Sequence, residues 1–452
     1  MELTPERIYE DFTKNIIDKP SATKLLLSLI ESSEREEVRI ESIEKLNHIG
    51  VKNDEVYKIL ENLLISDSNE TMRNRAAIVL RNNFLDKAFE PIKWAFTHEE
   101  SPSCLATIYS ALIEIITNLV NNPSSFNRSI LLAEVKNIRR KEFKLGFEAL
   151  CAIDNLENIT LKELGDIIVD FLTISLLEKS YWRLKFKIEK CRIVELDFIF
   201  KGLTKLPEPL QNLAHLKSLI LRYNQLTQLP DWIGKLQGLN NLNINVNNLN
   251  ELTPSIGDLL ALKELYLWKN ELNYLPNSIG NLINLKILNL RLNQLKSLPS
   301  DITNLTTLVE LNLHDNQLRF LPESIGNLKS LKFLNLSWNN LEQLPLSLGD
   351  LSSLAFLNLE RNELYDLPNT IGKLSSLEHL NLSDNNLEKI PDSIGNLRSL
   401  RYLNISRNKL SKIPESIVSL DNLQELYLGE NKLSSIAKKI TLLEEKGVSV
   451  HY

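Results

Sequence analysis

From about residue 200 the apolar positions of the chain recur on one frame. Asn224, Asn247, Asn270, Asn293, Asn316, Asn339, Asn362, Asn385, Asn408 and Asn431 fall 23 residues apart without a slip. One copy reads Leu331-x-x-Leu334-x-Leu336-x-x-Asn339-x-Leu341-x-x-Leu344-Pro345-x-x-Leu348-Gly349-x-Leu351. Leu334 and Leu336 share one face of a short strand, and Asn335 between them faces the other way. The Asn side chain can bond backbone groups where the strand turns away. Pro345 bars a continued ladder, so the chain returns on the outer side through a loop or short helical turn. One repeat cannot bury its own leucines. Stacked repeats can, at roughly 1.5–3 kcal/mol per fully buried side chain. Strands about 4.8 Å apart then predict a curved parallel sheet with its inner face open to solvent. An eleventh, degenerate copy precedes the ten: Leu196, Phe198, Leu203, Leu206-Pro207, Leu210 and Leu213 keep the frame, with Lys201 in place of Asn. End copies are expected to be atypical because they cap the stack.

This frame resembles the leucine-rich repeat family, in the intracellular subclass marked by Leu-Pro-x-x-Ile-Gly-x-Leu. The resemblance covers the repeats only. It implies an α/β solenoid, and it is similar to plant Ras-group proteins, Ras-suppressor-like proteins and Ras-pathway scaffolds. Those families imply a signalling scaffold with a small GTPase or a phosphatase as partner.

The first 180 residues carry no such frame. Their apolar residues recur at helical spacing, as at Ile40, Ile43, Leu46 and Ile49. Turn residues at Lys19-Pro20-Ser21, Gly50 to Asp54, Ser101-Pro102-Ser103 and Asn121-Asn122-Pro123 divide them into roughly eight to ten helices. Val38-Arg39 with Ser42-Ile43 and Leu46 matches Met72-Arg73 with Ala76-Ala77 and Leu80, each shifted by 34. That resembles HEAT-type helical hairpins over about residues 34–120. Next, Trp182, Leu184, Phe186 and Ile188 alternate with Arg183, Lys185 and Lys187, followed by a second alternating run from Ile193 to Phe198. Period two predicts a hairpin that shields the first repeat. The expected organisation is an all-α, HEAT-like domain over 1–180 and a capping hairpin with the first strand over 181–198. A leucine-rich solenoid of about 11 repeats follows over 193–452, with a C-terminal cap from Ile440, Leu442-Leu443 and Val448 to Val450.

Composition narrows the function. Charged residues make up 24% and hydrophobic types 43% of 452 residues, as in a folded soluble protein. A net charge of −6 does not suit bulk binding to phosphate backbones. The N-terminus lacks the basic start and apolar run of a signal peptide, and Glu114 and Asp170 break the longest apolar stretches. A cytoplasmic protein is expected. Cys104, Cys151 and Cys191 are odd in number and widely spaced, which argues against a disulfide framework or a metal knuckle, so all three read as apolar fillers.

Enzyme signatures are missing. Gly234-Lys235 and Gly372-Lys373 both run into Leu without the glycine that a phosphate loop needs. The six histidines show no ligand spacing, and no cofactor or metal is implied. Arg139-Arg140-Lys141 with Lys144 forms a basic cluster, the one candidate contact for nucleic acid.

What remains is surface. The outward strand positions form columns, one residue per repeat. One column is mostly Asn: Asn243, Tyr266, Asn289, Asn312, Asn335, Asn358, Asn381, Asn404, Tyr427. Another reads Ile287, Glu310, Phe333, Phe356, His379, Tyr402, with Trp338 two columns along and a second aromatic pair at Tyr266 and Trp268. Aromatics that point away from a leucine core have no core reason to be there, and such residues anchor protein interfaces. Arg291 and Arg361 lie beside them. The expectation is a non-enzymatic, monomeric scaffold or adaptor that holds a protein on the concave face. The alternatives are a substrate-recruiting subunit of an enzyme complex, such as a ubiquitin-ligase adaptor, and nucleic-acid binding through Arg139 to Lys144.

Overall fold

A computed structural model describes residues 3–140, 159–434 and 437–452. The chain divides into two compact units, Met1–Trp182 and Arg183–Tyr452.

Among its described residues the first unit has nine helices: α1 (Pro5–Thr13), α2 (Lys19–Ser32), α3 (Glu36–Ile49), α4 (Asp54–Ser66), α5 (Glu70–Asn83), α6 (Phe89–His98), α7 (Pro102–Asn121), α8 (Ser125–Arg140) and α9 (Leu161–Ser180). Asn53, Asn69 and Ser101 cap the starts of α4, α5 and α7, each accepting from a first-turn N–H. Helices pack as successive pairs, α2 on α3, α4 on α5 and α6 on α7, with α3, α5 and α7 in contact along one layer. The two matching segments do the same work. Ser42, Ile43 and Leu46 are buried on α3, as are Ala76, Ala77 and Leu80 on α5. Arg39 donates to the Ile30 carbonyl at 2.9 Å and pairs with Asp67 at 2.8 Å. Arg73 donates to the Asp67 carbonyl at 2.9 Å and grips Glu99 through two bonds of 2.8 and 2.9 Å. Glu36 accepts from Asn69 at 2.7 Å, and Glu70 from Ser101. Polar ties thus link each pair to the next. Helix α7 is long and apolar enough to cross a membrane by length and composition. Here Cys104, Leu105, Ile108, Leu112, Ile115 and Ile116 are buried within the unit.

The second unit is a thirteen-stranded sheet with strands in sequence order. β1 (Lys185–Glu189) and β2 (Arg192–Asp197) form the antiparallel hairpin, joined by Lys190 and Cys191, both at positive φ (50° and 61°). From β2 onward neighbours are parallel. Each of β3 (Ser218–Ile220), β4 (Asn241–Asn243), β5 (Glu264–Tyr266), β6 (Ile287–Asn289), β7 (Glu310–Asn312), β8 (Phe333–Asn335), β9 (Phe356–Asn358), β10 (His379–Asn381), β11 (Tyr402–Asn404) and β12 (Glu425–Tyr427) is three residues long. Each of β3 to β11 is followed by a short 3-10 turn, after a Leu-Pro or Ile-Pro step in every case but β4, where the turn begins at Pro254. Partners lie 23 residues apart from β2 to β12, as Leu334 with Leu357, and 24 apart between β12 and the last strand. The frame leucines Leu331, Leu334, Leu336, Leu341, Leu348 and Leu351 are fully buried. Gly349 is required by contact: a Cβ there would sit 2.1 Å from the Thr370 carbonyl oxygen of the next repeat. At the far end α10 (Ala437–Glu445) buries Ile440 and Leu443, leaves Leu442 exposed, and leads into β13 (Ser449–His451).

The cysteines depart from expectation. Cys104 is free and buried, and burial pushes its thiol up to about 12. Cys191 is not an apolar filler: it is disulfide-bonded. Spacing along the chain says nothing about which distant cysteines folding brings together. Cys151 and the cluster Arg139 to Lys144 lie outside the residues whose side chains are described.

Candidate binding face

The Asn of each repeat is a clamp. Asn316 is typical. Its Oδ1 accepts from Leu295 N at 3.0 Å, and its Nδ2 donates to the carbonyls of Leu290 and Leu313 at 3.0 and 3.1 Å. The same set recurs from Asn247 to Asn431; at Asn224, Oδ1 takes the N–H groups of both Lys201 and Leu203. The residue before each Asn, from Tyr223 to Glu430, takes a left-handed conformation with φ between 53° and 58°. Non-glycine residues avoid that region, so the clamp must hold it. This column includes Trp338 and Arg361, and the turn presents them on the open side.

The mostly Asn column is structural as well. Oδ1 of Asn243, Asn289, Asn312, Asn335, Asn358, Asn381 and Asn404 each accepts the N–H two residues on, at 3.0–3.2 Å. Asn at seven of nine positions was the signal for it.

Phe333, Phe356, His379 and Tyr402 stand on β8 to β11 in register. Their rings stack nearly parallel, with centroids 4.5, 4.5 and 4.1 Å apart. Tyr402 then meets Tyr427 at 5.4 Å, and Tyr427 stacks on His451 at 4.2 Å. The result is a ribbon of six rings that crosses from one column to the next and ends on the last strand. Interior rings support one another, so they are not free of a role in folding. Their faces are taken, and edges remain open. Burial between rings holds the His379 imidazole below its ordinary range, partly offset by the Glu425 carboxylate. Ile287 and Glu310 continue the column on β6 and β7.

Trp338 belongs to a separate cluster. It is 44% exposed, with the Arg361 guanidinium 4.0 Å from its ring centroid and His314 edge-on at 6.2 Å. Arg361 also faces Asp384 at 3.4 Å, and Arg407 bridges Asp384 at 3.5 Å and Glu430 at 2.9 Å. Tyr266 and Trp268 make no ring contact with each other among the described residues. The Tyr266 hydroxyl donates to Glu264 at 3.2 Å, and burial together with that carboxylate pushes it up to about 12. Trp268 lies 6.0 Å from the Arg291 guanidinium. A cleft of about 690 Å³ runs along the outer Leu-Pro turns, but Lys389 and Lys439 in it already face Asp366 and Glu415, at 3.6 and 2.7 Å. No group of three or more metal-ligating side chains occurs among the described residues.

The leucine-rich repeat region model matches residues 254–331, 310–386 and 369–446, and a single leucine-rich repeat model matches 215–236. The second unit is a leucine-rich repeat domain. No curated protein matches the chain. Among solved structures, the chain is similar to a leucine-rich repeat protein of Leptospira interrogans, at 29% identity over 56% of this chain and 82% of that one, TM-score 0.38. It is similar to the functional domain of InlJ from Listeria monocytogenes at 22% identity, over 57% and 53%, TM-score 0.48. In the Toll–Spatzle complex of Drosophila the values are 27%, 55%, 35% and 0.49. All four structural features of the leucine-rich repeat domain described above (clamp, left-handed column, Asn column and ring ribbon) lie on or behind its open sheet face.

Proposed function

We propose that the protein is a non-enzymatic scaffold or adaptor that binds a protein partner on the open face of the leucine-rich sheet. The single observation that carries this is the ring ribbon from Phe333 to Tyr402, which sets half-buried aromatic edges along one face of the sheet. Proteins, with mixed apolar and polar surfaces, suit such a face, and aromatic anchors carry much of the energy where they bind. A small GTPase or phosphatase partner, and a role in signalling, rest on the resemblance of the repeat frame to Ras-related leucine-rich proteins. In the first unit, the matched Arg39 and Arg73 ties support a HEAT-like reading and a second docking surface for the same scaffold. A cytosolic location belongs to this proposal, and its test is Cys191: cytosolic thiols stay reduced, so labelling in the native cell should find Cys191 as a free thiol, and a persistent disulfide there would remove the location.

The test is recovery of partners from native extract by the wild type, Phe333→Ala/Phe356→Ala and the outer-face variant Lys329→Ala, with folding checked by circular dichroism. Loss of a partner only from the first variant supports the proposal. Equal recovery from all three removes it.

A further inference from the structure

Five asparagines on the open face, Asn243, Asn289, Asn312, Asn335 and Asn358, have Oδ1 committed to a backbone N–H. A backbone N–H can only donate, so the amide orientation is set and Nδ2 turns away from it. Among the described residues no acceptor meets these Nδ2 groups. Four of them, on β6 to β9, form a row of donors about 4.8 Å apart. Cations flank the row. Lys263, Lys286 and Lys332 stand just ahead of β5, β6 and β8, and Lys269 and Arg291 follow β5 and β6. All five are exposed, and none forms an ion pair among the described residues. Further along the sheet the cations are matched instead: Arg361 and Arg407 by Asp384 and Glu430, and Arg401 by Glu378 at 3.5 Å. Carboxylates in the donor stretch are fewer. Glu264 accepts from Tyr266, Glu310 sits between Ile287 and Phe333, Asp315 precedes its Asn, and Glu360 just after β9 accepts from Asn381 at 3.2 Å. The open edges of the Phe333 and Phe356 rings are also electropositive.

We infer that β5 to β9 of the open face take an acidic polypeptide segment, whose carboxylates and carbonyls accept from the Asn Nδ2 row and pair with the flanking lysines. This rests on the proposal that the open face is the binding face. Nucleic acid is the other polyanion, but base stacking needs ring faces, and the ribbon has used both faces of Phe356 and one of Phe333.

Asn→Asp isolates the claim, because it keeps the Oδ1 acceptor and replaces only the free donor. The full chain is titrated by fluorescence anisotropy with a labelled Glu-Ser repeat peptide, its Lys-Ser counterpart and oligo(dT). The Glu-Ser peptide should bind, more weakly as salt rises, and Asn312→Asp/Asn335→Asp should weaken it about tenfold or more with melting unchanged. The outer-turn control Asn304→Asp/Asn327→Asp makes the same charge change and should leave binding as it was. Equal binding of both peptides, tighter binding of oligo(dT), or equal weakening by both double variants overturns the inference. A native partner lost by Phe333→Ala/Phe356→Ala but kept by Asn312→Asp/Asn335→Asp would refute the acidic class alone. A partner kept by both would remove the binding face as well.

Discussion

Replacing Asn316 tests the clamp at the level of single bonds. Asn316 is 7% exposed and joins three backbone groups at 3.0–3.1 Å, with a longer bond of 3.5 Å to the His314 carbonyl, which also accepts from Leu292 N. They are not equally dependent on it. The Leu290 carbonyl also accepts from Asn293 at 3.0 Å, and the Leu313 carbonyl from Asn339 at 2.9 Å. Asn316→Ala therefore leaves each carbonyl with one donor and strands only the Leu295 N–H. One orphaned buried donor costs about 1–3 kcal/mol, and two weakened acceptors add roughly 1 kcal/mol more. The expected loss is about 2–4 kcal/mol. Asn316→Asp should be worse at neutral pH, because a carboxylate oxygen would face two carbonyl oxygens, and its deficit should shrink as acid protonates it. Asn312→Asp, four residues away, should be nearly neutral, since its Nδ2 meets no acceptor. Urea unfolding followed by far-UV circular dichroism reads all three. An unchanged midpoint for Asn316→Ala, or equal midpoints for Asp at 312 and 316, would refute the reasoning.

Four further outcomes follow from the geometry. Phe356→Ala removes two ring stacks and Phe333→Ala one, so they should cost about 1–3 and 0.5–1.5 kcal/mol, and equal melting of both variants and wild type would show the stacks to be idle. The His379 imidazole titrates below its ordinary 6.5, so the unfolded chain takes the proton first and stability should fall as pH drops below 6.5; His379→Phe should fall less, as urea midpoints at pH 7 and pH 5 would record. Glu99 is held at about 2 against an ordinary 4.5 by Arg73, so its contribution is full above 4.5 and is lost as pH falls toward 2. Glu99→Gln should cost about 3 kcal/mol at neutral pH and flatten that acid limb, and a parallel acid profile would contradict it. A truncation starting at residue 183 should stay soluble, whereas one starting at 213 exposes an uncapped apolar end and should aggregate; equal light scattering would remove the hairpin's capping role.

The repeat architecture was legible because its signal is periodic: leucines two apart mark strands, and Asn339 with Pro345 marks the turn. The helical unit was readable in its apolar spacing and in the paired Arg39 and Arg73, while their partners Asp67 and Glu99 sit at helix ends where no period points to them. The candidate face was half visible. Columns place Phe333 beside Phe356, but a column does not say how rings turn, so the stacking and the separate position of Trp338 with Arg361 came only from side-chain geometry. The left-handed column had no sequence mark, because Tyr, Val, Lys, Leu, Asp, Trp, Arg and Glu all occupy it. The Cys191 disulfide was out of reach for a different reason: bridging depends on tertiary proximity, which local pattern does not encode.

The central claim is that the open sheet face meets the partner. A photo-crosslinking amino acid at Asn335 on that face, at Lys329 on the outer side and at Trp94 in the helical unit samples three surfaces of the full chain in its native cell. Adducts to one protein from position 335, absent from 329 and 94 and lost when Phe333→Ala/Phe356→Ala is added, are the predicted result. Adducts from 329 or 94 alone, with none from 335, would contradict it.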